Sequence, residues 1–165
     1  MSEDRFLENV LAMRGKLYRV AMAILWNEQD AADAVQEAML KGWKRRGSLR
    51  DEAAFGAWFM QILVRQCRDM QRKQIRRRRL LGDLENRRGT AVQSAEPALQ
   101  PGELFEAIHE LPDALRLPLL LCYFDGYSQK EAGAILGATP AQIKDRVRRA
   151  REKLRRALDE GGDAE

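Results

Sequence analysis

The richest set of interacting side chains lies between Ser128 and Leu158. Ser128-Gln129-Lys130-Glu131 has the form of a capping box, where hydroxyl and carboxylate each satisfy a backbone N–H at a helix start. Ala132, Ile135 and Leu136 follow on one face, and Gly137 supplies the left-handed residue that ends a helix. A second start comes at once in Thr139-Pro140-Ala141-Gln142, with Thr at the cap, Pro at the first helical position and Gln three residues after the cap. Two short capped helices joined by a tight turn have the form of a helix-turn-helix. In the second of them Ile143, Val147, Ala150, Leu154 and Leu158 form one apolar face, leaving Lys144, Arg146, Arg148, Arg149, Arg151, Arg155 and Arg156 on the remainder. A helix held by one face and cationic on the other suits the major groove of duplex DNA, its first residues near base edges and its later arginines near phosphates.

Two further stripes carry charge. Arg65, Arg68, Arg72, Arg76 and Arg79 recur at three and four residues behind Trp58, Phe59 and Ile62, and Asp69 is the one acidic residue from 65 to 79. Such a face can follow a phosphate backbone, while the aromatic residues are expected chiefly in the core. Asp30, Asp33 and Glu37 make an acidic stripe at an earlier helix start, a face that DNA would avoid and a protein could use.

The chemistry implied is binding. His109 stands beside Glu110 without a partner pattern, and Cys67 and Cys122 are isolated, so neither a catalytic set, a zinc site nor a cofactor is expected. Apolar residues make up 45% of the 165 residues and charged ones 33%, with a formal net charge of +4, which fits a globular chain with an anionic partner. No apolar run approaches the roughly 18 residues of a membrane span, and the acidic first residues differ from a secretory signal; the expected location is the cytoplasm.

The elements that must position these residues read as helices throughout. Leu7, Val10, Leu11, Leu17, Tyr18, Ala21, Ile24 and Leu25 form one predicted stripe. Asn27 with Asp30 caps a second helix carrying Ala31, Ala34, Val35, Ala38, Met39 and Trp43, broken at Gly47-Ser48. Asp51 is placed to cap a third, with Phe55, Trp58, Phe59, Ile62, Leu63, Cys67 and Met70 inside. Periodicity fades from Leu80 to Gln100 into a composition rich in turn residues, a flexible linker able to span up to about 70 Å. Beyond it Leu104, Phe105, Ile108 and Leu111 open a second helical set, and Pro118 is expected to kink the helix it sits in or displace its start. The predicted fold is all-α: a first domain at 1–79, a linker at 80–100, a helix-turn-helix domain at 101–160 and an acidic tail at 161–165.

Taken together, these motifs resemble a bacterial sigma factor of the extracytoplasmic-function group, within the sigma-70 family. Asp30 to Ala38 with Trp43 is similar to the region 2 helix that docks on RNA polymerase core enzyme. The resemblance implies polymerase contacts at Asp33, Gln36, Glu37, Leu40 and Trp43. Trp58 to Ile62 and the arginines after it resemble the helix that holds the minus-ten promoter element, implying contacts at Trp58, Arg65, Arg68, Arg72, Lys73 and Arg76. Leu111-Pro112, Arg116, Asp125 to Ser128, Glu131 and Ile143 to Arg151 resemble region 4, implying minus-thirty-five contacts at Ser128, Gln142, Lys144, Asp145, Arg146, Arg148 and Arg149. Arg65 stands where the family usually has Asn, Asp145 where Ser is common, and Ala132-Gly133 where Ile-Ala is usual, a change expected to weaken packing of that helix. Asp145 could accept a hydrogen bond from cytosine N4 or pair with Arg149. The implied partners are polymerase core, promoter DNA and an anti-sigma factor. The competing readings are a stand-alone helix-turn-helix regulator, which would bind duplex without polymerase, and an adaptor that binds proteins through amphipathic helices.

Overall fold

A computed structural model describes residues 1–82 and 102–162. All regular structure among them is helical, in two compact units, the first holding helices α1 to α3 and the second α4 to α7. The predicted linker falls outside the described residues apart from residues 80–82, the first of which ends α3.

In the first unit α1 runs Glu3–Leu25, α2 Glu28–Arg45 and α3 Phe55–Leu80, each packed on the other two. The caps follow the sequence signals. Asn27 accepts from the Asp30 N–H at 2.9 Å and so separates α2 from α1. Asp51 caps a short 3-10 turn, Glu52–Ala54, that leads into α3. The core is aromatic at one end: the Phe6 ring meets Trp43, Phe55 and Phe59 edge-on at centroid distances of 5.5, 5.7 and 5.9 Å, and Phe55 stacks on Phe59 at 5.6 Å. This cluster sets the rotation of α1. With Phe6 turned inward, Val10, Leu17, Ala21, Ile24 and Leu25 are buried as expected, but Leu7 and Leu11 face outward, 44% and 66% exposed. The apolar stripe predicted through Leu7 and Leu11 is therefore one residue out of register at its start. Gly42 is buried, and a Cβ there would stand 2.6 Å from the Phe59 ring. Helix α2 thus meets the aromatic cluster with backbone where the other core positions use alanine.

The second unit comprises α4 at Glu103–Glu110, α5 at Asp113–Leu119, α6 at Gln129–Leu136 and α7 at Pro140–Gly162. Helix α7 includes Gly161 and Gly162, placed in the tail by composition. Pro118 lies inside α5, and two residues on the chain widens into a π-helical turn, Leu120–Phe124. Leu111, Leu115, Leu117, Leu119, Leu121, Ala132, Ile135, Leu136, Ile143, Val147 and Ala150 make the core. Leu104 and Phe105, read as opening a core face, are 50% and 40% exposed, although α4 packs on α7. Arg116, itself buried, donates to the carbonyls of His109 and Leu111 at 2.8 Å each and pairs with Asp113, tying the end of α4 to the start of α5.

Candidate polymerase and nucleic-acid interfaces

On α2 the side chains of Asp33, Gln36, Glu37 and Leu40 are exposed together, Leu40 by 53%. Trp43 is placed differently: its ring makes a T-shaped pair with Phe6, and the Arg46 guanidinium lies 4.1 Å from its ring centroid while donating to the Trp43 carbonyl at 2.8 Å. It is a rim residue of the core, half-buried. Asp30 leaves the acidic stripe, because its carboxylate accepts from Gln74 of α3 at 2.7 Å. Asp33 and Glu37 instead form one wall of a shallow polar groove, with Gln66, Asp69 and Lys73 of α3 opposite and Met70 and Lys41 between. Lys41 bonds Gln66 across it.

On α3 the structure brings Arg65, Arg72, Lys73 and Arg76 to the surface, with Arg68 half-buried. Lys73 lies on the α2 side, at the groove with Asp33 and Glu37. Arg72 pairs with Asp69, and that bond, with smaller contributions from Lys41 and Lys73, holds the Asp69 carboxyl below its usual range. Trp58 belongs to the aromatic cluster, 5.8 Å from Phe55 and 6.4 Å from Phe59, and is half-buried.

In the second unit the capping box is complete: Ser128 Oγ accepts from the Glu131 N–H at 3.0 Å and Glu131 accepts from the Ser128 N–H at 3.3 Å. Gly137 takes φ +71°, and the Ala138 N–H reaches back to the Gly133 carbonyl at 2.9 Å. The Ala138 carbonyl would lie 2.4 Å from a Cβ on Gly133, so the turn fits only against a glycine. The sequence departure at Ala132-Gly133 is a close approach of backbone to backbone, and the expected weakening gives way to a geometric requirement.

A second reciprocal pair opens α7. Thr139 Oγ1 accepts from the Gln142 N–H at 3.2 Å, and Gln142 Oε1 accepts from the Thr139 N–H at 3.0 Å. Gln142 is exposed, but its amide oxygen is committed to the cap, leaving Nε2 as the group to offer a ligand. Lys144 is exposed and Arg146 half-buried on the same helix. Arg148 and Arg149 are exposed and both pair with Asp145. Two side chains outside the expected set join them: Tyr123 of the π-helical turn, 58% exposed, accepts from Arg151 Nη1 at 2.9 Å, with the Arg151 guanidinium 5.4 Å from its ring centroid. Arg151 was already on the cationic face read from the sequence, whereas the only local signal for Tyr123 was the aromatic ending of an apolar run. Tyr127, before the box, is pushed up to about 12 by burial and by the carboxylates of Asp125 and Glu131.

These surfaces carry opposite signs on separate helices, and the sequence profiles match them in the same order. The profile of sigma-70 region 2 matches residues 10–77 and that of sigma-70 region 4 matches residues 102–154. The ECF RNA polymerase sigma factor EcfG of Rhodopseudomonas palustris is 32% identical over 159 residues, covering 92% of this chain and 83% of the relative. This chain belongs to the extracytoplasmic-function group of the sigma-70 family. Another relative, the RNA polymerase sigma factor SigV of Bacillus subtilis, is 30% identical over 84% of this chain and 81% of its own. A longer one, RfaY of Xanthomonas campestris, is matched over 39% of its length. Among solved structures, the sigma factor RpoE of Bartonella quintana, in complex with the anti-sigma factor NepR, superposes with a TM-score of 0.75 at 26% identity, over 93% of this chain and 96% of that one. The sigma factor's region 2 match lies within the first unit and its region 4 match within the second. No described helix is long and apolar enough to cross a membrane.

Proposed function

We propose that this sigma factor binds RNA polymerase core through the exposed face of α2 and directs it to promoters with α3 and α7. Asp33, Gln36, Glu37 and Leu40 make the protein contact, and Trp43 supports that face from within the core rim. Arg65, Arg68, Arg72 and Arg76, with Lys73 at the groove edge, follow the backbone of the minus-ten element, and Trp58 anchors their helix. Ser128, Lys144, Arg146, Arg148 and Arg149 hold the minus-thirty-five duplex, while Gln142 Nε2 and Asp145 face it at the start of α7. The chain works by binding rather than by covalent chemistry, in the cytoplasm where polymerase acts. Like RpoE, it takes an anti-sigma factor as a partner. Two grips, each weak alone, act together when one chain carries both; the proposed domain limits are 1–79 and 101–160, with 80–100 as the tether.

The observation that carries this reading is the order along one chain of an acidic exposed face, a basic helix and a capped helix-turn-helix, matched by region 2 and region 4. A stand-alone regulator is disfavoured, since it has no use for region 2. The test mixes the purified chain with polymerase core enzyme and sequences transcripts started from genomic DNA. A stable complex with transcripts sharing upstream elements is expected; specific duplex binding without any affinity for polymerase would overturn the proposal.

A further inference from the structure

Asp145 sits one and a half turns into α7 with each carboxylate oxygen on a different guanidinium. Oδ1 lies 2.9 Å from Arg148 Nη2 and Oδ2 lies 2.9 Å from Arg149 Nε. The remaining terminal nitrogen of Arg148 is taken by Glu152 at 2.8 Å. Two cations of the duplex-facing helix are thus neutralised from within, by a group whose paired oxygens offer what a DNA phosphate would offer. The side chains are open to water, 41% exposed at Asp145, 58% at Arg148 and 61% at Arg149. Exposed pairs of this kind are weak and exchange readily, so they are not what holds the helix in place. The Arg148 bond holds the Asp145 carboxyl below its usual range, so the group stays charged near neutrality.

We propose that Asp145 is an affinity-setting residue: a built-in phosphate mimic that keeps Arg148 and Arg149 paired and weakens the grip of α7 on duplex of any sequence. The inference rests on the reading of α7 as a duplex-binding helix. Non-specific affinity follows the number of phosphates that cations neutralise, and a carboxylate between two of those cations subtracts from that number while adding a repulsion of its own. Base-edge contacts from the start of the helix are untouched. With its phosphate grip reduced, the second unit holds DNA firmly only when the first unit is also engaged, so the chain is kept off duplex that lies outside a promoter.

The test uses the full chain and a short fluorescent duplex of randomised sequence, with affinity measured across a salt series. Asp145→Asn should bind about 5- to 20-fold tighter at low salt, and its log affinity should fall more steeply with log salt, the slope growing by about 1 to 2. Glu152→Gln, which frees one nitrogen of Arg148, should move both quantities the same way by less. In an Arg149→Ala background the gain from Asp145→Asn should shrink, because one of the freed cations is gone. Thermal unfolding of each variant separates these effects from a change in folding. Equal slopes for wild type and Asp145→Asn overturn the inference alone, as does weaker binding by the variant. A change confined to one base pair, read by selection from the same randomised pool, also overturns it, since Asp145 would then be reading cytosine. A wild-type chain without salt-dependent duplex binding overturns the duplex reading and the inference with it.

Discussion

At the scale of single residues, the start of α7 asks one side chain to do two things. Gln142 closes the helix start with its amide oxygen while its amide nitrogen faces outward, so truncation confounds stability with recognition. Gln142→Ala should lower the stability of the second unit by about 1 kcal/mol through loss of the cap. Gln142→Glu keeps an acceptor for the Thr139 N–H and places negative charge at a helix N-terminus, so its unfolding midpoint should match or exceed wild type. The same variant loses its donor and repels phosphate, and duplex affinity should fall. Melting curves paired with duplex titrations check both; undiminished affinity in Gln142→Glu would place the side chain away from DNA. Features of this kind were legible in sequence because they are local. The Ser128–Glu131 and Thr139–Gln142 boxes, the Asn27 cap and the left-handed Gly137 each depend on residues within four positions of one another. Asp145 was legible only in part, since pairing with Arg149 was one of two readings and the capture of Arg148 on the other oxygen was neither.

At the scale of elements, what the sequence concealed is what distant partners decide. Gly15 and Gly133 are both helical glycines, one in the middle of α1 and one four residues before the C-cap of α6, and the sequence does not say what each one faces. A Cβ on Gly15 would meet nothing within 4 Å, whereas one on Gly133 would collide with the Ala138 carbonyl. Gly15→Ala should therefore stabilise the first unit by about 0.5–1 kcal/mol through helix propensity. Gly133→Ala should destabilise the second by about 1–3 kcal/mol, since backbone that closes a turn cannot step aside as a side chain can. Thermal or denaturant unfolding of each variant measures the opposite signs, and a stabilised Gly133→Ala would remove the close approach from the account of the turn. The exposed Leu7 and Leu11 have the same origin: helical spacing fixes which residues share a face, but the Phe6, Trp43, Phe55 and Phe59 cluster fixes which face turns inward. The site helices themselves were predicted correctly in kind, because their stripes repeat over several turns. The packing of Trp43 against Phe6 and the Gln74 bond that takes Asp30 out of the acidic stripe were not, because both partners are distant along the chain.

At the scale of the whole molecule, separate surfaces should fail separately. Glu37→Lys reverses charge on the exposed face of α2 and should weaken polymerase binding, with salt-dependent DNA contacts retained. Arg72 and Arg76 changed together to Ala should weaken promoter opening with little loss of polymerase binding. Co-purification with core enzyme and an open-complex assay on the same variants distinguish the two, and loss of one shared function in both would contradict the division. That division is nonetheless not a clean cut through the first unit. Gln74 of α3 holds Asp30 of α2, Gln66 holds Lys41, and Lys73 shares a groove with Asp33 and Glu37. Anyone assembling a hybrid factor from this chain and a relative, hoping to exchange promoter preference while keeping the enzyme it serves, would sever those ties by swapping α3 by itself. The natural module for exchange is the first unit whole, α1 to α3, because Phe6 of α1 packs on Trp43, Phe55 and Phe59 and Gln71 of α3 donates to the Ile24 carbonyl of α1.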